Sequence, residues 1–199
     1  MIIHYDYMMK KLLIHSLLLW LLVSCAELPP RNIDNLCVIF KEKPHWYEEA
    51  KQVGQRWRVS VPTLMAIMAQ ESGFIADAKP PRTWLLGVIP WFRPSSAYGY
   101  AQAIDSTWDE YRDKAGGFTS DRDEFGDAID FIGWYSHISH TRLGISLQDT
   151  KLLYLAYYEG LEGYAQKSYL KKTGVQKTAA KVARLAVSFQ SQLSRCQIK

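Results

Sequence analysis

The stretch that decides the fold is SVPTLMAIMAQESGF, which runs from Ser60 to Phe74. Ser60 is a typical helix N-cap, and a proline such as Pro62 is tolerated in the first turn. Apolar residues then recur at the three- and four-residue spacing of one helix face: Val61, Leu64, Ile67 and Met68. Gly73 is a typical helix stop. The pattern predicts an amphipathic helix that ends at this glycine.

Glu71 continues this apolar face, three residues beyond Met68. Burial penalises the charged form of a carboxyl group, so an acid placed there tends to stay protonated. A protonated carboxyl beside a cleft is the general acid that a glycosidase requires. Alternatively, Glu71 turns toward solvent at the end of the helix, near Gly73. Periodicity alone leaves both interpretations open.

The rest of the chain is also mainly helical in pattern. Helices are predicted over residues 46–57, 105–111, 122–142, 147–159 and 175–193. Asp105 is the predicted cap of the second, and Ser146 with Asp149 forms a variant capping box before the fourth. Residues 77–98 are rich in Pro and Trp and predict a long loop or a small ribbon around 84–92. Because few segments alternate with period two, the predicted fold class is mainly α, in a single domain.

Charge and composition exclude several function classes. The 24 basic and 20 acidic side chains give a net charge of +4, with no dense Lys/Arg run outside the first residues. This diffuse charge argues against nucleic acid as a partner. The 5 His are scattered and no Cys/His cluster is present, so neither a metal nor a cofactor is predicted.

The N-terminus carries an export signal. Lys10 and Lys11 precede an almost wholly apolar run over 12–23, which ends in LVSC at Cys25. This ending resembles the bacterial lipobox, which implies a signal peptide over 1–24 and a lipid on Cys25. Ala26 follows, which by the same resemblance implies anchoring at the periplasmic side of the outer membrane. The alternative is an ordinary signal peptide with an incidental Cys.

Two further cysteines and a proline-rich segment complete the organisation. If Cys25 is lipidated, Cys37 and Cys196 remain as an even pair in an oxidising compartment, and a disulfide is expected. Two free buried thiols are the alternative. Residues 25–44 contain three prolines and are predicted to form a tether, which leaves 45–199 as the domain.

Three short segments follow one another in an informative order. ESGF lies at 71–74, GYAQ at 99–102 with Thr107 five residues beyond its Gln, and AYYEG at 156–160. This order resembles the SLT-type lytic transglycosylases, relatives of goose-type lysozyme. The resemblance extends over roughly residues 46–170 by motif order. It implies a lysozyme-like fold, and the extra length of the 77–98 loop or ribbon, which departs from the family pattern, suggests that this segment lies over the substrate groove.

The resemblance also implies site residues, position by position. Glu71 takes the place of the catalytic acid. Gln102 takes the place of a substrate-facing Gln, whose amide both donates to and accepts from sugar groups. Tyr157 takes the place of a Tyr near the acid, and Tyr158 is the alternative. The implied substrate-binding residues are Ser72, Gly99, Tyr100, Gln102, Tyr157 and Tyr158.

The sequence departs from the family pattern in both later segments. Tyr100-Ala101 stands where the family has Leu-Met, and Tyr158-Glu159 stands where it has Asn-Ala. The stretch between Glu71 and the GYAQ segment is also longer than the usual family spacing. These departures indicate a divergent member.

The implied reaction is cleavage of peptidoglycan glycan strands to 1,6-anhydromuramyl ends, with one Glu acting as acid and then as base. The implied partners are the glycan strands and the membrane that the lipid anchor enters. The sequence does not identify any partner in a cell-envelope complex. A hydrolytic muramidase is an alternative, with a second carboxylate drawn from Asp105, Asp109, Glu159 and Glu162. A non-catalytic peptidoglycan-binding lipoprotein is another.

Overall fold

The computed structural model describes residues 27–85 and 87–196. The predicted signal peptide and Cys25 therefore lie outside the described residues. Seven α-helices form within them: α1 (Leu36–Glu42), α2 (Pro44–Trp57), α3 (Val61–Ser72), α4 (Asp105–Lys114), α5 (Phe125–Leu143), α6 (Thr150–Ala165) and α7 (Thr173–Leu193). A 3-10 helix (Ser168–Lys171) and two short strands, β1 (Trp84–Leu85) and β2 (Ile89–Pro90), complete the fold. The mainly α prediction is confirmed.

Helix α3 begins and ends as the sequence predicts. The Ser60 side chain accepts a hydrogen bond from the Thr63 amide, and Gly73 ends the helix in the left-handed conformation. The helix is more buried than a single apolar face would be, because residues 62–68 are all buried. Helices α2, α5 and α7 pack against it. Helix α3 is therefore the central helix of the fold, and its last turn carries Glu71.

An aromatic cluster joins α2, the GYAQ segment and α5. Trp46 stacks on Phe125 with ring centroids 4.1 Å apart and an interplanar angle of 2°. Tyr100 meets both rings edge-on, at 5.7 Å and 5.9 Å. Offset and edge-on arrangements are the favoured geometries of aromatic pairs. The cluster fixes the GYAQ segment against the helical core.

The structure differs from the predicted tether over 36–42. These residues form helix α1, whose Leu36, Ile39 and Phe40 are buried in the core. The Asn35 side chain caps α1 by accepting from the Val38 amide at 3.1 Å. The folded part therefore begins before residue 45, because α1 contributes apolar side chains that need the rest of the core to cover them.

A disulfide joins Cys37 on α1 to Cys196 beyond α7, with Cα atoms 5.8 Å apart. The predicted pairing is confirmed. The Gln192 side chain reinforces it, because its Oε1 accepts from the Leu36 amide at 2.7 Å and its Nε2 donates to the Asp34 carbonyl at 3.0 Å. Helix α1 is thus held to α7 by both covalent and hydrogen-bonding links.

Two predicted caps are wrong. Asp105 is the first residue of α4, and its carboxylate accepts from Arg122 Nη1 at 2.8 Å instead of capping the helix. Asp149 caps α6 alone, by accepting from the Leu152 amide at 2.9 Å. The Ser146 hydroxyl instead bonds to Gln148 within the preceding turn. The capping-box pattern gave the right region but placed the helix start three residues early.

Helix α5 begins later than predicted because Arg122 forms hydrogen bonds with the GYAQ segment instead of joining the helix. Its carbonyl accepts from the Tyr100 amide at 3.0 Å, and its guanidinium donates to the Ala103 carbonyl at 3.0 Å. These bonds hold the backbone at Arg122 against the GYAQ segment, and the helix starts at Phe125.

The predicted ribbon within 77–98 is present. Strands β1 and β2 pair antiparallel, with Trp84 opposite Pro90 and Leu85 opposite Ile89. The Thr83 amide extends the pairing by donating to the Phe92 carbonyl at 2.9 Å. Among the described residues, no helix has both the length and the apolar character needed to cross a membrane.

Gly99 cannot be replaced without strain. Its φ is +79°, and a Cβ built there would lie 2.0 Å from the Arg122 carbonyl oxygen. We expect Gly99→Ala to lower the free energy of unfolding by roughly 2–4 kcal/mol, because it adds a backbone clash to an unfavourable φ. Urea unfolding followed by circular dichroism measures this.

Gly174→Ala is the matched control for that measurement. Gly174 lies in the first turn of α7, and a Cβ added there would meet no heavy atom within 4 Å. Alanine favours a helix over glycine by roughly 0.5–1 kcal/mol, so this variant should be as stable as the wild type or more so. Equal stability of both variants would contradict the role given to Gly99.

Candidate active site

One cleft gathers most of the predicted site residues. Its volume is about 600 Å³, and it opens between the end of α3, the segment that leads into α4, and helices α5 and α6. Its lining residues include Glu71, Gln102, Thr107, Tyr157 and Tyr158, all of which belong to the sequence motifs. Three segments that are far apart in sequence thus converge on one concave site, as a ligand site requires.

Glu71 enters this cleft from the last turn of the buried helix α3. Burial raises the pKa of its carboxyl to about 7, because desolvation penalises the charged form. The partial negative charge at the C-terminal end of a helix acts in the same direction. Glu71 is therefore mostly protonated below neutral pH, which is the state that a general acid needs.

Tyr154 is the tyrosine whose hydroxyl hydrogen-bonds the Glu71 carboxyl. This contact lowers the pKa of Glu71 and so opposes part of the burial effect. Burial, followed by the nearby Glu71 charge, raises the pKa of Tyr154 itself, so its hydroxyl remains a donor. Tyr154 is itself buried in α6, on the side of that helix that faces Glu71.

Tyr157 and Tyr158 have different places in the cleft. The Tyr157 hydroxyl donates to the Ala101 carbonyl at 2.6 Å, which ties α6 to the GYAQ segment. Burial raises its pKa well above the usual value, and the Glu71 charge adds to this. Tyr158 lines the cleft with 56% of its surface exposed. Its ring is therefore available to a ligand.

Gln102 presents an acceptor to the cleft. Its Nε2 donates to the carbonyls of Ala78 and Gly99, both at 2.9 Å. Carbonyl oxygens only accept, so the amide nitrogen must face them and Oε1 must face away. The backbone at Gln102 is left-handed, with φ of 49°. The sequence predicted that this amide would both donate to and accept from a sugar. Because the amide nitrogen already donates to two carbonyls, Gln102 can only accept a hydrogen bond from a ligand.

Three predicted substrate-binding residues do not reach the cleft, which corrects the prediction. Tyr100 is fully buried in the aromatic cluster with Trp46 and Phe125. Gly99 packs against the Arg122 backbone. The buried Ser72 hydroxyl accepts from the Phe74 amide at 3.1 Å and so stabilises the end of α3. These three residues support the residues that line the cleft and do not line it themselves.

Helix α6 changes direction beside the cleft. Gly160 has φ of 76° and ψ of 162°, a conformation open almost only to glycine, and the helix continues beyond it to Ala165. Glu159, just before the kink, also lines the cleft. Its Oε2 accepts from Lys172 Nζ at 2.8 Å and from the Ser168 hydroxyl. Burial by itself raises the pKa of Glu159, but these contacts together outweigh burial, so the net pKa is lowered and the group is ionised.

The other candidates for a second carboxylate lie away from the cleft surface. Asp105 is paired with Arg122 at 2.8 Å. Asp109 is exposed on α4 and lies 3.9 Å from Arg112. Glu162 accepts from Gln166, which lies just beyond the end of α6. None of these three is among the residues that line the cleft.

Sequence reasoning missed Tyr154 and several wall residues. Tyr154 lies three residues before Tyr157, so both face the same side of α6. That spacing was a usable signal. Pro80, Ser95 and Ala97 also line the cleft, at the two ends of the ribbon, and Phe131 and Tyr135 do so from α5. No local pattern marks these, because only the packing of distant segments brings them together.

If the cleavage of peptidoglycan that the sequence motifs imply takes place in this cleft, we expect it to depend on pH through Glu71. If protonated Glu71 starts the reaction, kcat/KM is flat below about pH 7 and falls about ten-fold per pH unit above it. Tyr154→Phe removes a contact that lowers this pKa, so the fall should begin at a higher pH. Release of soluble fragments from peptidoglycan, followed over a pH series, measures both effects. If kcat/KM of Tyr154→Phe falls at the same pH as that of the wild type, Tyr154 does not influence the pKa of Glu71.

The helical core, the cleft and the acid at the end of its central helix define a lysozyme-like fold. The family model described as the transglycosylase SLT domain matches residues 13–196, so the chain belongs to that family. No curated protein matches the chain. Membership supports a peptidoglycan-degrading role of the lytic transglycosylase type and implies peptidoglycan as substrate.

Proposed function

We propose that the protein is a peptidoglycan lytic transglycosylase with Glu71 as its catalytic residue. Glu71 protonates the glycosidic oxygen between N-acetylmuramic acid and N-acetylglucosamine, and the bond from that oxygen to the muramyl C1 breaks. The Glu71 carboxylate then takes the proton of the muramyl C6 hydroxyl, whose oxygen bonds to C1. A 1,6-anhydromuramyl end forms, Glu71 regains its proton, and no water is consumed.

The observation that carries this proposal is the raised pKa of Glu71 inside the cleft. At about 7, this pKa lets one group serve as acid and then as base near neutral pH. Tyr154 supports the base step, because its hydroxyl stays neutral and its hydrogen bond favours the ionised form of Glu71. The acceptor Oε1 of Gln102 and the exposed Tyr158 ring suit a sugar, which offers hydroxyl donors and apolar ring faces.

The substrate's own hydroxyl replaces the water that a second carboxylate would activate. Asp105, Asp109 and Glu162 do not line the cleft. This distribution supports chemistry that runs on a single acid.

One observation favours a hydrolytic muramidase as the second candidate. Glu159 is an ionised carboxylate among the residues that line the cleft. In a hydrolase it would activate water, which would leave a reducing muramic end. Its Oε2 is already held by Lys172 and Ser168, and this makes it a weaker base.

We also propose that the enzyme is lipidated at Cys25 and acts from the periplasmic side of the outer membrane. This proposal rests on the lipobox-like ending of its leader. Mass spectrometry of the N-terminal peptide from the protein expressed in its full length tests this. The expected result is a diacylglyceryl-modified Cys25, and an unmodified or differently processed N-terminus would contradict it.

Analysis of the cleavage products tests the reaction. Purified sacculi are digested, and the soluble fragments are examined by mass spectrometry without chemical reduction. Anhydromuramyl ends are lighter than reducing ends by one water, so the two reactions are distinguished directly. We expect anhydromuramyl ends from the wild type and from Glu159→Gln. Reducing ends that disappear in Glu159→Gln would establish the muramidase instead.

A further inference from the structure

The ribbon formed by residues 83–85 and 87–92 stands at the edge of the cleft. Pro80 before it and Ser95 and Ala97 after it line the cleft wall. A chain entering or leaving the cleft on this side therefore passes the ribbon.

Hydrogen bonds fix both ends of the ribbon to the site. The Ala78 carbonyl accepts from the Gly99 amide at 3.0 Å and from the Gln102 side chain at 2.9 Å. At the other end, the Ser96 hydroxyl accepts from the Asp105 amide at 3.1 Å. The ribbon is therefore positioned by the same residues that build the cleft.

The ribbon exposes large apolar side chains. Val88, Trp91 and Phe92 have 73%, 55% and 58% of their surfaces exposed. Single exposed apolar residues are ordinary, but three within five positions beside a cleft mark an interaction surface. Flat aromatic faces suit the apolar faces of sugar rings.

The segment that carries these rings has a positive charge of its own. The sequence over 78–98 holds Lys79, Arg82 and Arg93 and no acidic residue. Peptidoglycan strands carry carboxylates on their peptide stems, so a cationic, aromatic surface complements them.

We propose that the exposed rings of Trp91 and Phe92 provide an outer site that holds the peptidoglycan glycan strand beyond the cleft, with the exposed Arg82 facing the stem carboxylates. The inference rests on the proposed function, because it takes the same polymer as the ligand. Successive residues of an extended chain point to opposite faces, so one of the two rings supplies most of the sugar contact.

Co-sedimentation with purified sacculi tests this surface without any need for cleavage. The parent protein carries Glu71→Gln, so that the strands stay intact. We expect Trp91→Ala with Phe92→Ala to weaken binding about ten-fold, and the two single variants to assign the contacting ring. Trp91→Tyr with Phe92→Tyr keeps flat rings and should restore binding. Phe118→Ala is the matched control, since Phe118 is 90% exposed and does not line the cleft.

Two results would overturn the proposal. One is equal affinity of the double alanine variant and its parent for sacculi, with circular dichroism showing both folded. The other is unchanged binding to sacculi together with lost binding to vesicles of anionic phospholipid, which would make the ribbon a membrane contact. The two proposals can fail separately. If the wild type cleaves no peptidoglycan while the ribbon variants still bind sacculi more weakly, the proposed reaction is wrong and the ribbon remains a binding surface.

Discussion

Glu71→Gln is expected to abolish cleavage of peptidoglycan, with a loss of at least about 10³-fold in rate. General acid–base catalysis alone contributes roughly 10²–10⁴-fold, and here one group carries both roles. Gln has nearly the same shape, so the end of α3 and the cleft wall should be preserved. The loss would then reflect the missing proton and no change in the fold.

The same substitution should stabilise the protein at alkaline pH. The folded state raises the pKa of Glu71 from 4.5 to about 7, so it favours the protonated form. Stability linked to this proton is complete below the unfolded pKa and is lost as pH rises through about 7. Above that pH the buried charge costs on the order of 3 kcal/mol, which Gln avoids. A higher urea midpoint for the variant at alkaline pH, with little difference in acid, is the expected signature.

A zymogram containing peptidoglycan, together with soluble-fragment release, measures the loss of activity. Glu48→Gln is the matched control, because Glu48 is an exposed acid on α2, with 60% of its side chain accessible and away from the cleft. This control should clear the gel like the wild type. Equal clearing by Glu71→Gln would remove the catalytic assignment. A lack of clearing by every form, with retained binding to sacculi, would favour the non-catalytic binding protein.

Removing the disulfide is expected to lower the free energy of unfolding by roughly 2–5 kcal/mol. Cys37 and Cys196 are 159 residues apart in sequence, so the bond restricts nearly the whole unfolded chain. In the chain-entropy account, longer closed loops give the larger effects. Helix α1 should be affected most, because at 7 residues it needs packing against α7 to stay formed.

Urea unfolding of Cys37→Ser with Cys196→Ser measures this cost. Reductant should destabilise the wild type to a similar extent and leave the double variant unchanged, which separates the disulfide from other effects. Gln192→Ala offers a comparison, because it removes the hydrogen bonds to α1 and leaves the covalent link. Equal stability of the wild type and the double variant would contradict the role given to the bond.

Periodicity and stop signals predicted the long helices because those signals are local. Ser60 and Gly73 mark both ends of α3, and the structure uses both as expected. Helix α1 was missed because 7 residues between prolines carry too little periodicity, and its apolar side chains are explained only by the core they enter. The start of α5 was misplaced because Arg122 is used by a segment that is distant in sequence.

The same difference between local signals and contacts of distant segments applies to the candidate site. Motif order predicted that Glu71, Gln102 and Tyr157 would meet, and all three line one cleft. Motif order does not give the direction of a side chain, which is why Tyr100 turned out to be a core residue. The hydroxyl that reaches Glu71 belongs to Tyr154, one helical turn before the residue that the motif marks. Helical geometry, applied to the motif, would have indicated it.

The bond between Cys37 and Cys196 closes residues 37–196 into a covalent ring, and the ribbon lies within this ring. A protease that cuts after the exposed Arg82 would nick this ring without separating the two pieces. The nicked protein would run as one species on a gel until reductant is added. Its fragments would stay packed around α3, so the folded chain tolerates a break at this exposed position.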